Sequence, residues 1–254
     1  MRLTKATYFS TEMNMKYMSA SQFKSFLECE ARTLAELRGE YVREETTALL
    51  VGSYVDAYFS NELAEFKSSH PEIFTRQGEL KSDYRHAEEI IQRIMRDKMF
   101  MKYMSGRKQV IKTGEIAGVP FKIKIDSYHK NKAIVDMKIM KDFEPVWKEG
   151  KGKLHFIEAW GYDLQGAIYQ AVEGNQLPFI LAAATKEKVT DLQLISVSQE
   201  VLDVALEIVE EKAQYFQELK KGLHESVRCG RCDYCKQTKV LTGEIPIFEG
   251  GMTA

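Results

Sequence analysis

The chain has 254 residues, 44% of them hydrophobic, 11% aromatic and 29% charged, with only 5 prolines, a balance that excludes a disordered or linker-rich chain. No apolar run approaches the ~20 residues of a membrane helix, and Met1-Arg-Leu-Thr-Lys lacks the apolar stretch of a secretion signal, so a cytoplasmic protein without membrane partners is expected. Net charge is −1, yet residues 102–153 hold 13 Lys and Arg against 6 Asp and Glu, which suits an anionic partner such as nucleic acid or, equally, a solvated sheet edge.

In chain order, Ser19 or Ser21 can cap a helix running to about residue 38, with Phe23, Phe26, Leu27, Leu34 and Leu37 on its apolar side. A second helix is expected over 46–66. A third is expected over 83–103, where Ile90, Ile91, Ile94 and Met95 recur at helical spacing. The apolar period then changes from 3.6 to 2, predicting strands at 109–115, 119–127 and 132–139. A helix at 157–173 follows, then strands at 179–185 and 192–197, and a last helix at 199–221 with Ser198 as its cap. This order predicts a mixed α/β fold with a mixed central sheet flanked by helices. The chain reads as one domain, 1–254: a mainly helical part (1–105), an α/β core (106–221) and a cysteine-rich tail (222–254).

The chemistry concentrates on the second and third strands. Asp126 alternates with Phe121, Ile123 and Ile125, and Asp136 and Lys138 alternate with Val135, Met137 and Ile139. Matching the two apolar rows fixes the parity of the register, and a turn centred on Asn131 satisfies it, setting Asp126 opposite Asp136. Opposed residues have Cβ atoms roughly 4.5–5.5 Å apart, too close for two carboxylates unless a cation lies between them. Two carboxylates suit a hard divalent ion such as Mg²⁺. Lys138, on the same face as Asp136, would hold an attacking water or stabilise charge at phosphorus. The alternative is an ordinary charged outer face.

Asp126 followed by Asp136-Met137-Lys138 across a hairpin resembles the core of the PD-(D/E)XK nuclease superfamily, restriction-endonuclease-like in fold. Gln165-Gly-Ala-Ile-Tyr169 resembles the Q-x-x-x-Y motif of its RecB-like branch. Gln165 and Tyr169 are i and i+4 on one helix face, so both could reach one phosphate or base. Gly52-Ser-Tyr-Val-Asp56 stands where that branch carries Gly-x-x-x-His, which implies Asp56 as a metal ligand in place of the histidine. Within the superfamily, Asn14–Leu37 and Gly52–Phe59 resemble phage and prophage exodeoxyribonuclease VIII (RecE-type) proteins. That resemblance implies a Mg²⁺- or Mn²⁺-dependent exonuclease resecting linear duplex DNA for recombination, with a RecT-like single-strand annealing protein as partner; a homo-oligomer is compatible with the sequence, which does not fix the oligomeric state. On this reading Asp56, Asp126, Asp136 and the Met137 carbonyl hold metal, Lys138 assists catalysis, and Gln165 and Tyr169 bind DNA. Glu115 is a weaker addition to the metal shell.

Cys229, Cys232 and Cys235 form a C-x₂-C-x₂-C run, a spacing that matches a loop wrapping a [4Fe–4S] cluster; zinc, with nearby His224 competing as a ligand, is the alternative. Cys29 would be the fourth ligand, an arrangement resembling the iron–sulfur staple of AddB-type and CRISPR-adaptation nucleases. Taken alone, Cys29 could equally be a buried small hydrophobe. The methionines from Met95 to Met104 read as core filler, Trp147 and Trp160 as packing against the sheet, and His129 and His155 as solvated loop residues. Lys186 could touch phosphate, and no glycine-rich nucleotide loop is present. Two rival functions fit less of the chain: a non-catalytic nucleic-acid-binding module with structural zinc, and a CRISPR-adaptation or repair nuclease preferring single strands.

Overall fold

In the computed structural model, which describes residues 2–244, the three long amino-terminal helices expected from periodicity are broken into shorter ones at capping residues. The end of the expected cysteine-rich tail, 245–254, lies outside the described residues. Helix α1 (Thr11–Lys16) is capped by Ser10, and α2 (Ala20–Glu28) by Ser19, whose hydroxyl accepts the Gln22 N–H. The chain does not run on to residue 38 as one helix. Cys29 is extended (φ −165°, ψ 108°) and separates α2 from α3 (Glu30–Arg38), which ends at left-handed Gly39.

Thr46 caps α4 (Thr47–Phe59), and left-handed Asn61 separates it from α5 (Leu63–Ser69). The third expected helix is divided into α6 (Ser82–Arg96) and α7 (Lys98–Tyr103) by Asp97, whose carboxylate accepts the Phe100 N–H and restarts the helix.

The first three strands lie within a few residues of their predicted bounds: β1 (Arg107–Ile116), β2 (Val119–His129) and β3 (Ala133–Met140). A small hairpin, β4 (Val146–Lys148) with β5 (Gly152–Leu154), was not anticipated. Helices α8 (Phe156–Ala159) and α9 (Tyr162–Glu173) are parted by left-handed Gly161. Strands β6 (Phe179–Thr185) and β7 (Leu192–Ser196), helix α10 (Gln199–Lys220) and a last turn, α11 (Asp233–Gln237), complete the described chain. Ser198 precedes α10, but its side chain makes no capping bond. The five-stranded sheet has the order β1-β2-β3-β6-β7, with β3 and β6 parallel through the α8–α9 crossover and the other pairs antiparallel, so it is mixed as expected.

Helices cover both faces. On one, Phe23 and Phe26 of α2, Ile168 of α9 and Leu202, Val209 and Phe216 of α10 pack on Phe121, Ile123, Ile125, Phe179 and Leu181. On the other, Tyr54 of α4, Ile90, Ile91 and Ile94 of α6 and Phe100 of α7 pack on Val135, Met137, Ile180 and Ala182. The apolar rows of β2 and β3, which parity arguments place together, therefore serve opposite faces. Covering both faces removes the constraint from which a shared apolar side was argued. No helix among the described residues is long and apolar enough to cross a membrane.

Candidate active site

The β2–β3 ladder pairs Ser127 with Val135, Tyr128 with Ile134 and His129 with Ala133, a register centred on Asn131, whose left-handed backbone turns the hairpin. Continued by one step it sets Asp126 against Asp136, as the sequence predicts. The pairing ends at that point. Ile125 and Tyr128, three residues apart, pack in the same cluster, so strict alternation along β2 is interrupted between them. Asp126 uses the opening: its Oδ2 accepts the N–H of Met137 at 3.0 Å, replacing a ladder hydrogen bond with a bond to a carboxylate.

Asp136 is almost completely buried, 1% exposed. Its Oδ1 accepts the Gln165 Nε2–H at 2.6 Å, and its Oδ2 forms an ion pair with Lys138 that lacks hydrogen-bond directionality. Lys138 Nζ also lies 3.3 Å from the Met137 carbonyl oxygen and over the Tyr162 ring. Burial alone would make the Lys138 ammonium more acidic, but Asp136 and Asp126 outweigh it and hold the group protonated. Burial, with Asp136 and Asp56 adding their charges, pushes Asp126 up to about 8. Asp56, on α4, is also raised, first by burial and then by Asp136. Asp126 and Asp56, both raised, lie with Asp136 in a donor set of three carboxylates that fits a divalent cation, whose charge would oppose those two shifts.

Gln165 and Tyr169 do share one face of α9, but both are buried against the sheet. Gln165 grips Asp136, and the Tyr169 hydroxyl donates to the Lys124 carbonyl at 3.0 Å. Gly166 lets α9 approach: a Cβ there would lie 2.6 Å from Phe179 Cδ1 and 2.8 Å from Leu202 Cδ2. Glu115 pairs with Pro120 at the far end of β1, away from Asp126. His129 bonds the Tyr103 carbonyl at 2.7 Å, His155 caps α8, and Lys186 donates to the Ala48 carbonyl, so all three are engaged within the protein.

Residues that the sequence did not single out complete the site. Gln109 on β1 has φ +52°, rare for a residue with a side chain, and its Nε2 donates to Ser60 Oγ at 2.8 Å and to Asp126 Oδ1 at 3.3 Å. Lys24 of α2 donates to the Trp160 carbonyl at 3.2 Å and lies over Tyr162; burial and the charge of Lys138 push it down to about 8. Neither residue has a distinctive sequence neighbourhood, since each acts through a contact distant in the chain.

The basic segment is presented only in part. Lys122 is 1% exposed and bonded to the Tyr8 carbonyl and Asn14, while Lys112 pairs with Glu173. Trp147 and Trp160, expected to pack on the sheet, are instead exposed at 75% and 49%, with Lys148 Nζ 4.6 Å from the Trp160 ring centre. Met104 is buried as expected, but Met95 and Met99 are exposed.

Apart from these carboxylates, Cys29, Cys229, Cys232 and Cys235 converge with all four sulfurs within 4.8 Å of one another, a group that could bind a metal ion. His224 is not among them and hydrogen-bonds Glu218.

Residues 19–238 match the family model of a "PDDEXK-like domain of unknown function (DUF3799)". Among solved structures, the crystal structure of a "putative exonuclease" from Eubacterium rectale is 46% identical, with 97% of each chain covered and a TM-score of 0.92. No curated protein matches the chain.

Proposed function

Because the chain belongs to the PDDEXK-like family DUF3799, we propose that this nuclease is a Mg²⁺- or Mn²⁺-dependent exodeoxyribonuclease that degrades linear duplex DNA. One observation carries the reading: Asp126, Asp136 and Lys138 meet where the β2–β3 ladder ends, with Gln165 fixing one carboxylate and the Met137 N–H the other. Asp126, Asp136 and the Met137 carbonyl would hold the ion, and Asp56 of α4 would complete its shell. Bound there, the ion would polarise the scissile phosphate and lower the pKa of a water.

The protein's own groups supply the rest. The Lys138 ammonium orients that water and offsets negative charge developing on the phosphate oxygens. Gln165 and Gln109 aim the carboxylates of Asp136 and Asp126, as outer-shell hydrogen bonds do in metal sites. Tyr169, through Lys124, holds the strand beside which the DNA would pass, and with Gln165 it bounds that slot. Lys24 is placed to meet a phosphate next to the scissile one. The exposed Trp147 and Trp160, with Lys148, offer stacking and charge to the same strand.

In this proposal the chain works as one nuclease unit in which 1–105 supplies Lys24 and Asp56, 106–221 the reacting groups and 222–254 the thiol tail. The "putative exonuclease" relative supports action from DNA ends. The RecE-type motifs support resection for phage-type recombination, with a single-strand annealing protein as partner. The four free thiols suit a reducing, cytoplasmic setting.

The test is a digest of end-labelled linear duplex, closed circular duplex and single strands with Mg²⁺, Mn²⁺ or EDTA. Linear duplex should be degraded from its ends with either metal, and EDTA should stop the reaction. Cutting of the closed circle would overturn the exonuclease assignment, and inertness toward all three DNAs with metal would overturn the nuclease itself.

A further inference from the structure

Cys29 occupies a break in an otherwise helical segment. Its N–H donates to the Ser25 carbonyl, its carbonyl accepts from Thr33, and the extended backbone between α2 and α3 turns its sulfur toward the tail. The tail comes to meet it. The Ala31 N–H donates to the Val227 carbonyl, and Glu30 Oε2 accepts from the Val227 N–H at 2.8 Å and the Tyr215 hydroxyl at 3.2 Å. Tyr234 packs edge-on to Tyr41, and Arg228 donates to the Cys235 carbonyl. Among the described residues, the buried members of this corner cluster are Cys29, Ala31 and Cys235, too little apolar surface to hold the tail unaided.

The sulfur spacings discriminate between metal centres. Cys29 and Cys235 are 3.6 Å apart, Cys29 and Cys232 3.8 Å, and Cys229 and Cys235 3.9 Å. Four thiolates around one zinc, with Zn–S bonds of about 2.3 Å, form a tetrahedron whose edges are about 3.8 Å. A [4Fe–4S] cubane places a separate iron under each thiolate, which spreads the four sulfurs to roughly 6 Å. The cluster anticipated from the C-x₂-C-x₂-C run does not fit the room these sulfurs leave.

We propose that Cys29, Cys229, Cys232 and Cys235 hold one tetrahedral zinc ion that fastens the α2–α3 corner to the carboxy-terminal tail. The surroundings suit such a centre. The Cys232 N–H points at Cys229 Sγ from 3.4 Å, a donor to a thiolate of the kind that supports metal-bound sulfur. Because α2 carries Lys24 toward Asp136 and Lys138, the zinc anchors one wall of the carboxylate site without touching its reacting atoms.

The experiment is metal analysis of protein purified anaerobically from cells supplied with both iron and zinc, made in parallel with Asp136→Asn. One zinc per chain is expected in both, in colourless protein without sulfide, so the ion belongs to the thiols whatever the fate of the nuclease reading. Titration of the apoprotein with Co²⁺ should give the intense visible bands of a tetrahedral tetrathiolate site. Cys29→Ser should lose the zinc and melt roughly 10 °C lower; if it fails to fold, Cys232→Ser, at the partly exposed edge, is read in its place. Brown protein with about four irons and four sulfides, a single iron, or apoprotein that takes up neither Zn²⁺ nor Co²⁺ would each overturn the proposal.

Discussion

Replacing Gly166 by alanine sets helix propensity against packing. In the interior of α9, alanine is favoured over glycine by about 1 kcal/mol. Against that, the added methyl would stand 2.6 Å and 3.0 Å from two ring carbons of Phe179 and 2.8 Å from Leu202 Cδ2, where carbon atoms in contact normally keep about 3.5–4.0 Å. Both neighbours are completely buried, Phe179 in β6 and Leu202 in α10, so neither can swing into solvent. The helix must withdraw by roughly 1 Å, and overpacking from two sides belongs at the upper end of the usual 1–3 kcal/mol, leaving a net loss of about 2 kcal/mol.

The same withdrawal carries Gln165 away from Asp136, now 2.6 Å distant. A misplacement of about 1 Å at a catalytic group can cost roughly 100-fold in rate. Urea unfolding should therefore show a lower midpoint with an unchanged slope, and cleavage of linear duplex should fall by that order. Gly166→Ala protein as stable as the wild type or more so would refute the close seating of α9, because propensity alone would then have decided the outcome.

Three further predictions rest on separate contacts. Gln109→Asn keeps a residue that tolerates the left-handed backbone but shortens the reach to Asp126; cleavage should fall roughly 10–100-fold with little change in stability, and unaltered kcat/KM would remove Gln109 from the site. Trp147→Ala should leave the melting temperature unchanged and weaken binding to linear DNA about tenfold, measured by gel shift with Ca²⁺ in place of the catalytic ion; equal affinity would return Trp147 to the status of an ordinary surface residue. Lys220, 4% exposed, donates to the Tyr17 carbonyl and Gln22, and burial, with the nearby charge of Lys122, pushes it down to about 7. Between that value and the ordinary lysine value, near 10.4, the unfolded chain binds more protons at this position, so stability should climb with pH from about 7 upward. Lys220→Met should flatten that climb between urea midpoints at pH 7 and pH 9, and an unchanged slope would contradict the buried ammonium.

The carboxylate pair was legible because strand alternation and a turn at Asn131 constrain the register, although one premise failed: the apolar rows of β2 and β3 line opposite faces. The answer survived because β2 loses strict alternation beside Asp126 itself, where a side chain takes the place of a ladder bond. Helix periodicity located the apolar faces of α2, α3 and α6, apart from exposed Leu27 and Met95, but not the helix breaks, since Cys29, Asn61 and Asp97 stop helices through local caps and tertiary contacts that a period cannot register. Gln109 and Lys24 reach the site through contacts distant in sequence, so no spacing announces them. Tryptophan hydrophobicity argued for burial, whereas Trp147 is held outward on a short hairpin whose strands are too polar to show an alternating pattern. The cysteine run pointed to a group that could bind a metal, but the choice between zinc and a cluster depends on sulfur separations that only folding with Cys29 defines.

The central claim is that Asp136, fixed by Gln165 and Lys138, is indispensable to metal-dependent cleavage. Its most direct test is the cleavage rate of end-labelled linear duplex by Asp136→Asn beside the wild type, both in Mn²⁺ and both checked for equal melting temperature. The asparagine keeps the size of the side chain and the hydrogen bond from Gln165 while removing the charge. Wild-type protein should shorten the duplex from its ends, and the variant should show no turnover above the EDTA control. Cleavage by the variant at the wild-type rate would contradict the account.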